Sequence, residues 1–314
     1  CASLLSDRDK NELAALCEDR VRFDEPLAPY TSRKIGGPAD ASITIESESQ
    51  LAEIMRFCLR RSMPWFVLGS GSNLLIGDGG LRGIVLRLSG AFTHISVHED
   101  QTHVIVQAGA SASMALVTAK AASLGAVGIG SLAGIPGTIG GSLRMNAGTD
   151  FEMGDFVREV WVQSPGKPDA HPVSVQYYYR HTTLARDAIV SRVVLAFERG
   201  DTKTVRDEMQ SRLIRRKATQ PIALPNAGSC FRNPPGDKAA RLIEAAGAKG
   251  WRQGGAEVSP LHANFINNVD GASAKDVATL LARVRRAVEE QFGVPLQLEV
   301  HLVGVFIDEP NLEQ

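Results

Sequence analysis

Residues 65–88 run WFVLGSGSNLLIGDGGLRGIVLRL, an apolar β-like stretch that breaks into glycines and then returns to a second apolar run. A dinucleotide-binding βαβ unit needs G-x-G-x-x-G at such a point, because the third glycine lets a helix pack closely with its N-terminus facing the pyrophosphate. Here the third position is Leu74, and further turns follow instead of a helix. The pattern argues against a Rossmann domain. It still suits anion binding, since successive backbone N–H groups over Gly69, Ser70, Gly71, Ser72, Asn73 and Leu74 can form a concave nest to which Ser70, Ser72 and Asn73 add short polar side chains.

A second block, GIGSLAGIPGTIGGSLRMNAG over residues 128–148, is too apolar and glycine-dense for a solvated linker. It lacks the Lys of G-x-x-x-x-G-K and so is no P-loop, but GIPGTIGG offers a second candidate nest. Plain tight turns are the alternative for both blocks. Two such loops in one chain point instead to a cofactor with a long pyrophosphate-linked body.

The remaining pattern predicts an α+β protein of two domains. Helical spacing is expected from Asn11 to Arg20, in SESQLAEIMRFCLRRS behind serine caps, in SASMALVTAKAASLG ended by Gly125, from about Asp201, in KAARLIEAAG, and after Ser273. Ser273 with Asp276 makes a capping-box start for that last helix and Gly293 its stop. β segments lie between, including REVWVQS, HPVSVQYYYR and AIVSRVVLAFER, and LQLEVHLVGVFI reads as a closing strand. The main boundary is placed at Asp201.

At 314 residues with a net charge of −1, the chain has no global attraction for nucleic acid or a membrane surface, so an anionic ligand must be met by local cations. Its four cysteines form no C-x-x-C pair, which argues against zinc and a disulfide framework and fits a reducing, cytoplasmic compartment. No apolar stretch approaches the roughly 20 residues of a membrane span. Cys1 as the lipid-bearing residue of a mature lipoprotein is the weaker alternative to a simple processing boundary.

Most catalytic templates fail on spacing. Ser229 has Ala two residues before it, so no G-x-S-x-G elbow exists. His94, His98 and His103 crowd one hairpin without an acidic or Cys ligand set, and no metal is expected. SRLIRRKA is a solvated helix face whose Lys217 could reach a ligand. Three polar groups stay open on pattern alone: Arg180 after three tyrosines, Ser229 in a tight turn, and Glu299 within an apolar strand, where an unpaired burial would be costly.

Taken in order, TSRKIGGPAD, LGSGSNLLIGDGGLRGIVL, GIPGTIGGSLRMNAG, YYYR, NAGSCFRNP, AARLIEAAGAKGWRQGGAEVSPLHANFINN and FGVPLQLEVHLVG closely resemble the UDP-N-acetylenolpyruvoylglucosamine reductases, flavoenzymes of peptidoglycan precursor synthesis. The likeness runs from about Tyr30 to the last strand. It implies a two-subdomain FAD-binding domain of the PCMH or vanillyl-alcohol oxidase type over residues 31–200, preceded by a helical segment at 1–30 that packs on it. A C-terminal α/β substrate-binding domain follows over 201–314, its last strand carrying Glu299 to the active site. The same resemblance implies tightly bound FAD, NADPH as hydride donor, and UDP-N-acetylglucosamine enolpyruvate as substrate, in a monomer or weak homo-oligomer.

Residue by residue, the resemblance makes Arg180, Ser229 and Glu299 catalytic. It assigns FAD to the loop 69–74 and to Gly134, Ile135, Gly140, Gly141, Asn146, Ala147 and Gly148, and substrate or nucleotide contact to Tyr179, Lys217, Asn233 and His262. Some positions depart from the family. Thr182 stands where many relatives carry Ser, and His262 where some use Gln. The short Arg180-to-Lys217 spacing leaves no room for the substrate-covering Tyr loop of type I enzymes, so the chain resembles type II. Cys230, beside Ser229, is expected to be an inert small hydrophobe. A flavin oxidase of the same fold, and a nucleotide-binding module without catalysis, are the competing readings; the first would be reduced by its organic substrate and not by NADPH.

Overall fold

The computed structural model describes residues 3–308, 310 and 312. Cys1 lies outside them. The chain opens with α1 (Asp7–Cys17), which starts earlier than its apolar spacing suggested because Ser6 and Asp9 form a capping box. Strand β1 (Val21–Pro26) follows, so the segment 1–30 is not purely helical.

β1 pairs antiparallel with β2 (Pro38–Ile45). After α2 (Glu48–Arg61) come β3 (Trp65–Val67), β4 (Leu74–Ile76) and β5 (Leu81–Leu88). The first sheet has the order β1-β2-β5-β3, with β2 and β3 parallel to β5. Helix α2 is capped by Ser47 and buries Leu51, Ile54, Met55 and Cys58, residues spaced to share one face. The run 69–80 leaves this sheet and returns to it through β4 without forming a helix.

The glycines after β4 are set by packing. A Cβ on Gly77 would lie 2.2 Å from the Val305 carbonyl oxygen, and one on Gly80 would lie 1.8 Å from that of Pro38. GDGG is therefore a crossing of backbones and not a phosphate loop.

A second, antiparallel sheet holds β6 (Ile95–Glu99), β7 (His103–Gly109), β8 (Val157–Ser164), β9 (Lys167–Val173) and β12 (Ile189–Glu198) in the order β6-β7-β12-β8-β9. Between β7 and β8 lie α3 (Met114–Ser123), α4 (Ile139–Arg144) and α5 (Met153–Phe156). The segment HPVSVQYYYR is not one strand: it ends β9 and then forms β10 (Tyr177–Tyr178), which pairs with β11 (His181–Thr182). Both large sheets feed one core, including Leu13, Ile43, Phe57, Leu86, Val106, Ile139 and Phe197.

Helix α6 (Thr202–Thr219) buries only Val205, and that residue belongs to the first core. The boundary expected at Asp201 thus falls on the N-cap of a helix that lies against the flavin-side body. The second core is built around α7 (Ala239–Ala245), β13 (Arg252–Gln253), β14 (Ala256–Val258), β15 (Ile266–Asn268) and α8 (Ala274–Phe292). In α8, Val277, Leu280, Leu281, Val284 and Val288 line the buried face, and Gly293, at φ +68°, stops the helix.

Two devices join the cores. Asp78 accepts from the N–H groups of Ala274 (2.8 Å) and Lys275 (3.1 Å), capping α8 from across the chain. Strand β16 (His301–Val303) pairs parallel with β4, His301 opposite Leu74. The closing strand is shorter than LQLEVHLVGVFI suggested, and Glu299 precedes it, because residues 297–300 pair instead with the turn at 230–232.

Candidate active site

The loop 69–73 is the hub. Its Gly71 has φ +58°, and a Cβ there would approach Thr31 Cα to 2.8 Å. Ser32 N–H donates to the Gly71 carbonyl (3.3 Å) and Ser32 Oγ to that of Ser70 (3.2 Å), fixing the turn from outside. Ser70, Gly71 and Ser72 donate no backbone hydrogen bond to another described residue, and Gly69 and Ser70 are exposed. Gly71 itself is buried and Ser72 half-buried; three neighbouring backbone donors without a described partner are what a diphosphate requires.

Only part of the second glycine block is closed to a ligand: Gly134, Gly137 and Thr138 donate no backbone hydrogen bond to another described residue. The N–H groups of Ile139 and Gly140 donate to the Ala112 and Ala110 carbonyls, and that of Gly141 to Thr138 Oγ1, because this stretch opens α4. The glycines serve close approach. A Cβ on Gly69 would lie 3.0 Å from Thr138 Oγ1, one on Gly137 would lie 2.8 Å from Ser72 Oγ, and one on Gly134 would lie 2.9 Å from Arg216 Cδ on α6. Ile135 donates its N–H to Leu132 in the preceding turn. Loop 69–73 and residues 134–138 therefore sit side by side, and their backbone N–H groups without a described acceptor, at Ser70, Gly71, Ser72, Gly134, Gly137 and Thr138, fit the phosphates of FAD.

At one end of this groove lies Arg180, in the left-handed region at φ +53°. Its Nε donates to Glu299 Oε1 (3.1 Å), Nη1 to Glu152 Oε1 (3.3 Å) and the Asn146 carbonyl (3.4 Å), and Nη2 to the Gly148 carbonyl (3.0 Å). One Nη2 proton is left for a ligand. The guanidinium also lies 4.9 Å from the Tyr179 ring centroid. Asn146 turns its amide inward, donating to Glu152 Oε2 (2.6 Å) and the Tyr178 carbonyl while accepting from Gly154 N–H. The described contacts of Asn146 and Gly148 thus build the arginine's pocket, and Ala147, buried beside them, accepts from Met153 N–H.

Glu299 is 14% exposed at its side chain, and burial pushes its carboxyl above the usual range against the pull of Arg180 and Arg232. Glu152 is also pushed up by burial, again opposed by Arg180. The Glu299 carbonyl accepts from Asn73 Nδ2 (3.1 Å), which ties the acid to the glycine loop.

Ser229 reaches this cluster through the backbone: the Cys230 carbonyl accepts from Glu299 N–H (2.8 Å), and Gly228 lies beside the Ser72 carbonyl. Asn264 holds the turn, accepting from Phe231 N–H and donating to the Phe231 carbonyl. Cys230 is buried and its thiol is pushed up by desolvation, as an inert residue should be.

The other expected contacts have their own settings, and His262 is linked through Asn264 to the turn that carries Ser229. Lys217 is exposed at the end of α6, and Asn233 spends its Oδ1 on Ala239 N–H at the start of α7. His262 accepts from Asn264 N–H at Nδ1 and packs edge-on to Phe265; burial lowers its proton affinity, so the ring is neutral with its proton on Nε2. Glu152 and Asn264 were missed by sequence reasoning. Both are ordinary polar residues until the fold shows what they hold.

Unpaired backbone donors beside a half-buried arginine–carboxylate cluster suit a flavoprotein oxidoreductase, and residues 39–162 match a family described as FAD binding domain. Residues 220–303 match the C-terminal domain of UDP-N-acetylenolpyruvoylglucosamine reductase. The chain belongs to the UDP-N-acetylenolpyruvoylglucosamine reductase family. It is 43% identical over 289 residues to a reductase of that name from Symbiobacterium thermophilum, covering 91% of this chain and 92% of the relative. It is 40% identical over 308 residues to the Myxococcus xanthus protein, with 95% and 98% covered. The crystal structure of the Thermus caldophilus reductase superposes with a TM-score of 0.76 at 34% identity, covering 90% of this chain and 97% of that one.

Proposed function

We propose that this chain reduces the enolpyruvyl group of UDP-N-acetylglucosamine enolpyruvate with NADPH, in the cytoplasm, and that Arg180, Ser229 and Glu299 carry the chemistry. The observation that supports it best is the 3.1 Å contact of Arg180 with a half-buried Glu299 whose own backbone is tied to the glycine loop. Bound FAD supplies two-electron transfer between the nicotinamide and the enolpyruvyl double bond, held at its phosphates by the loop 69–73.

Hydride arrival at C3 of the substrate leaves negative charge on C2 and its carboxylate. The Arg180 guanidinium, already fixed by carbonyl and carboxylate acceptors, meets that charge without reorganising, which is where a preorganised donor is most effective. A forked contact needs a second donor, so the substrate must displace one present partner. The Ser229 hydroxyl delivers the proton to C2. Glu299 serves in its protonated form, since a second anion beside the developing charge would oppose it.

Rapid anaerobic mixing separates the two halves. Flavin bleaching by NADPH should survive Ser229→Ala nearly intact, while flavin reoxidation by the enolpyruvyl nucleotide slows by roughly 10²–10⁴-fold, the usual cost of a lost acid. Equal losses in both halves would remove Ser229 from this role.

A further inference from the structure

Arg180 is shared by two carboxylates, Glu299 at Nε and Glu152 at Nη1, and the described geometry treats them differently. Glu152 Oε2 also accepts the Asn146 amide at 2.6 Å, a bond that favours its ionised form, and its side chain is 27% exposed. Glu299 is more buried, at 14% exposed, and has no second side-chain donor among the described residues. One guanidinium fully compensates one carboxylate, so a second buried acid beside it is most cheaply kept neutral. We propose that Glu152 is a positioning residue of this site: its carboxylate is the standing counter-charge of Arg180, which frees Glu299 to keep a proton beside the same guanidinium.

Two neighbours pull the other way, Asp155 raising Glu152 and Arg232 lowering Glu299, so the assignment rests on the bond from Asn146 and on the difference in burial. Around Glu152 stand Arg180, the Asn146 amide and Asp155, whose carboxylate accepts from Glu152 N–H. Glu299 faces Arg180, with Arg232 and the buried Cys230 thiol near it. Glu152 also sets orientation, because with the Asn146 and Gly148 carbonyls it holds the terminal nitrogens of Arg180 and leaves Nε to Glu299. This rests on the role of protonated Glu299 given above.

The test is the pH dependence of flavin reoxidation by UDP-N-acetylglucosamine enolpyruvate in pre-reduced enzyme. If protonated Glu299 is required, the rate falls as pH rises through its pKa. Removing the Glu152 charge gives Glu299 the whole attraction of Arg180, so in Glu152→Gln that fall moves to lower pH by roughly 1–2 units, the size expected from an unshared neighbouring cation. Glu152→Asp, which keeps the charge, should restore most of the original profile. The flavin reduction by NADPH should keep its profile in both variants.

A Glu152→Gln profile that overlays the wild type, scaled only in height, would reduce Glu152 to a structural role and overturn the proposal. Should that variant lose its flavin, Asn146→Ala removes the donor that keeps Glu152 ionised and must move the fall in the same direction; an unmoved profile there overturns the proposal equally. A wild-type profile retained by Glu299→Gln would instead refute the role of Glu299 itself.

Discussion

Asp78→Ala is expected to loosen the two cores from each other. The first four N–H groups of α8 are all satisfied: Ala274 and Lys275 by Asp78, Asp276 by Ser273 Oγ, and Val277 by the Ser273 carbonyl. Ala274 is fully buried, so without Asp78 its N–H has neither protein nor water to pair with, whereas Lys275 is exposed and can turn to solvent. A buried orphan donor costs about 1–3 kcal/mol, and loss of a carboxylate at a helix N-terminus adds about 0.3–1 kcal/mol, so the substitution should destabilise by about 2–3 kcal/mol. Ser273→Ala, which removes one cap bond on the same helix, should cost about 1 kcal/mol. Native-state hydrogen exchange is the assay, because it reports the first turn of α8 separately from the β5 and β12 amides. Protection should drop most in α8 and β15, with a fall in Tm of roughly 4–8 °C for a change of this size in a chain this long. An Asp78→Ala protein within about 0.5 kcal/mol of wild type, or one less affected than Ser273→Ala, would refute the claim that this cross-chain cap joins the cores.

Gly71→Ala places a Cβ 2.8 Å from Thr31 Cα on a backbone at φ +58°, so it should lower flavin content, read from the visible to ultraviolet absorbance ratio, and cost about 1 kcal/mol or more in stability. Burial raises the thiols of Cys17 and Cys58 to about 11 and about 12. The unfolded thiols ionise near pH 8.5 while the folded ones stay protonated, so folding stability is whole below that value and declines as pH rises through 9 to 11. Urea midpoints across that range check it, and replacing both cysteines by Ala should flatten the decline. A thiol reagent at neutral pH should label neither residue before unfolding.

Much of the architecture was legible because it depends on local signals. Ser47, Ser273 with Asp276, Gly125 and Gly293 mark their helix ends where the structure has them, since capping is decided within one turn. The absence of a helix behind Leu74 was equally local. What escaped was set at long range. Nothing near GDGG announces that Val305 and Pro38 lie against it, and nothing in GIPGTIGG announces that Ile139 and Gly140 spend their N–H groups on the Ala112 and Ala110 carbonyls. Glu299 stood out as a charge interrupting an apolar run, but it sits before the last strand and not within it. Glu152 had no such mark, because its meaning comes from Arg180, a residue that follows it and sits in the turn between β10 and β11.

The pairing of β16 with β4 sets a time order on the enzyme's manufacture. A ribosome completes the glycine loop, Arg180 and Ser229 long before it reaches Glu299, so a nascent chain holds these groups while still lacking the carboxyl that contacts Arg180. A chain cut short before residue 298 would lack both the partner strand of β4 and the acceptor of the Asn73 amide, so the glycine loop is the part of the first body that waits on the last residues made.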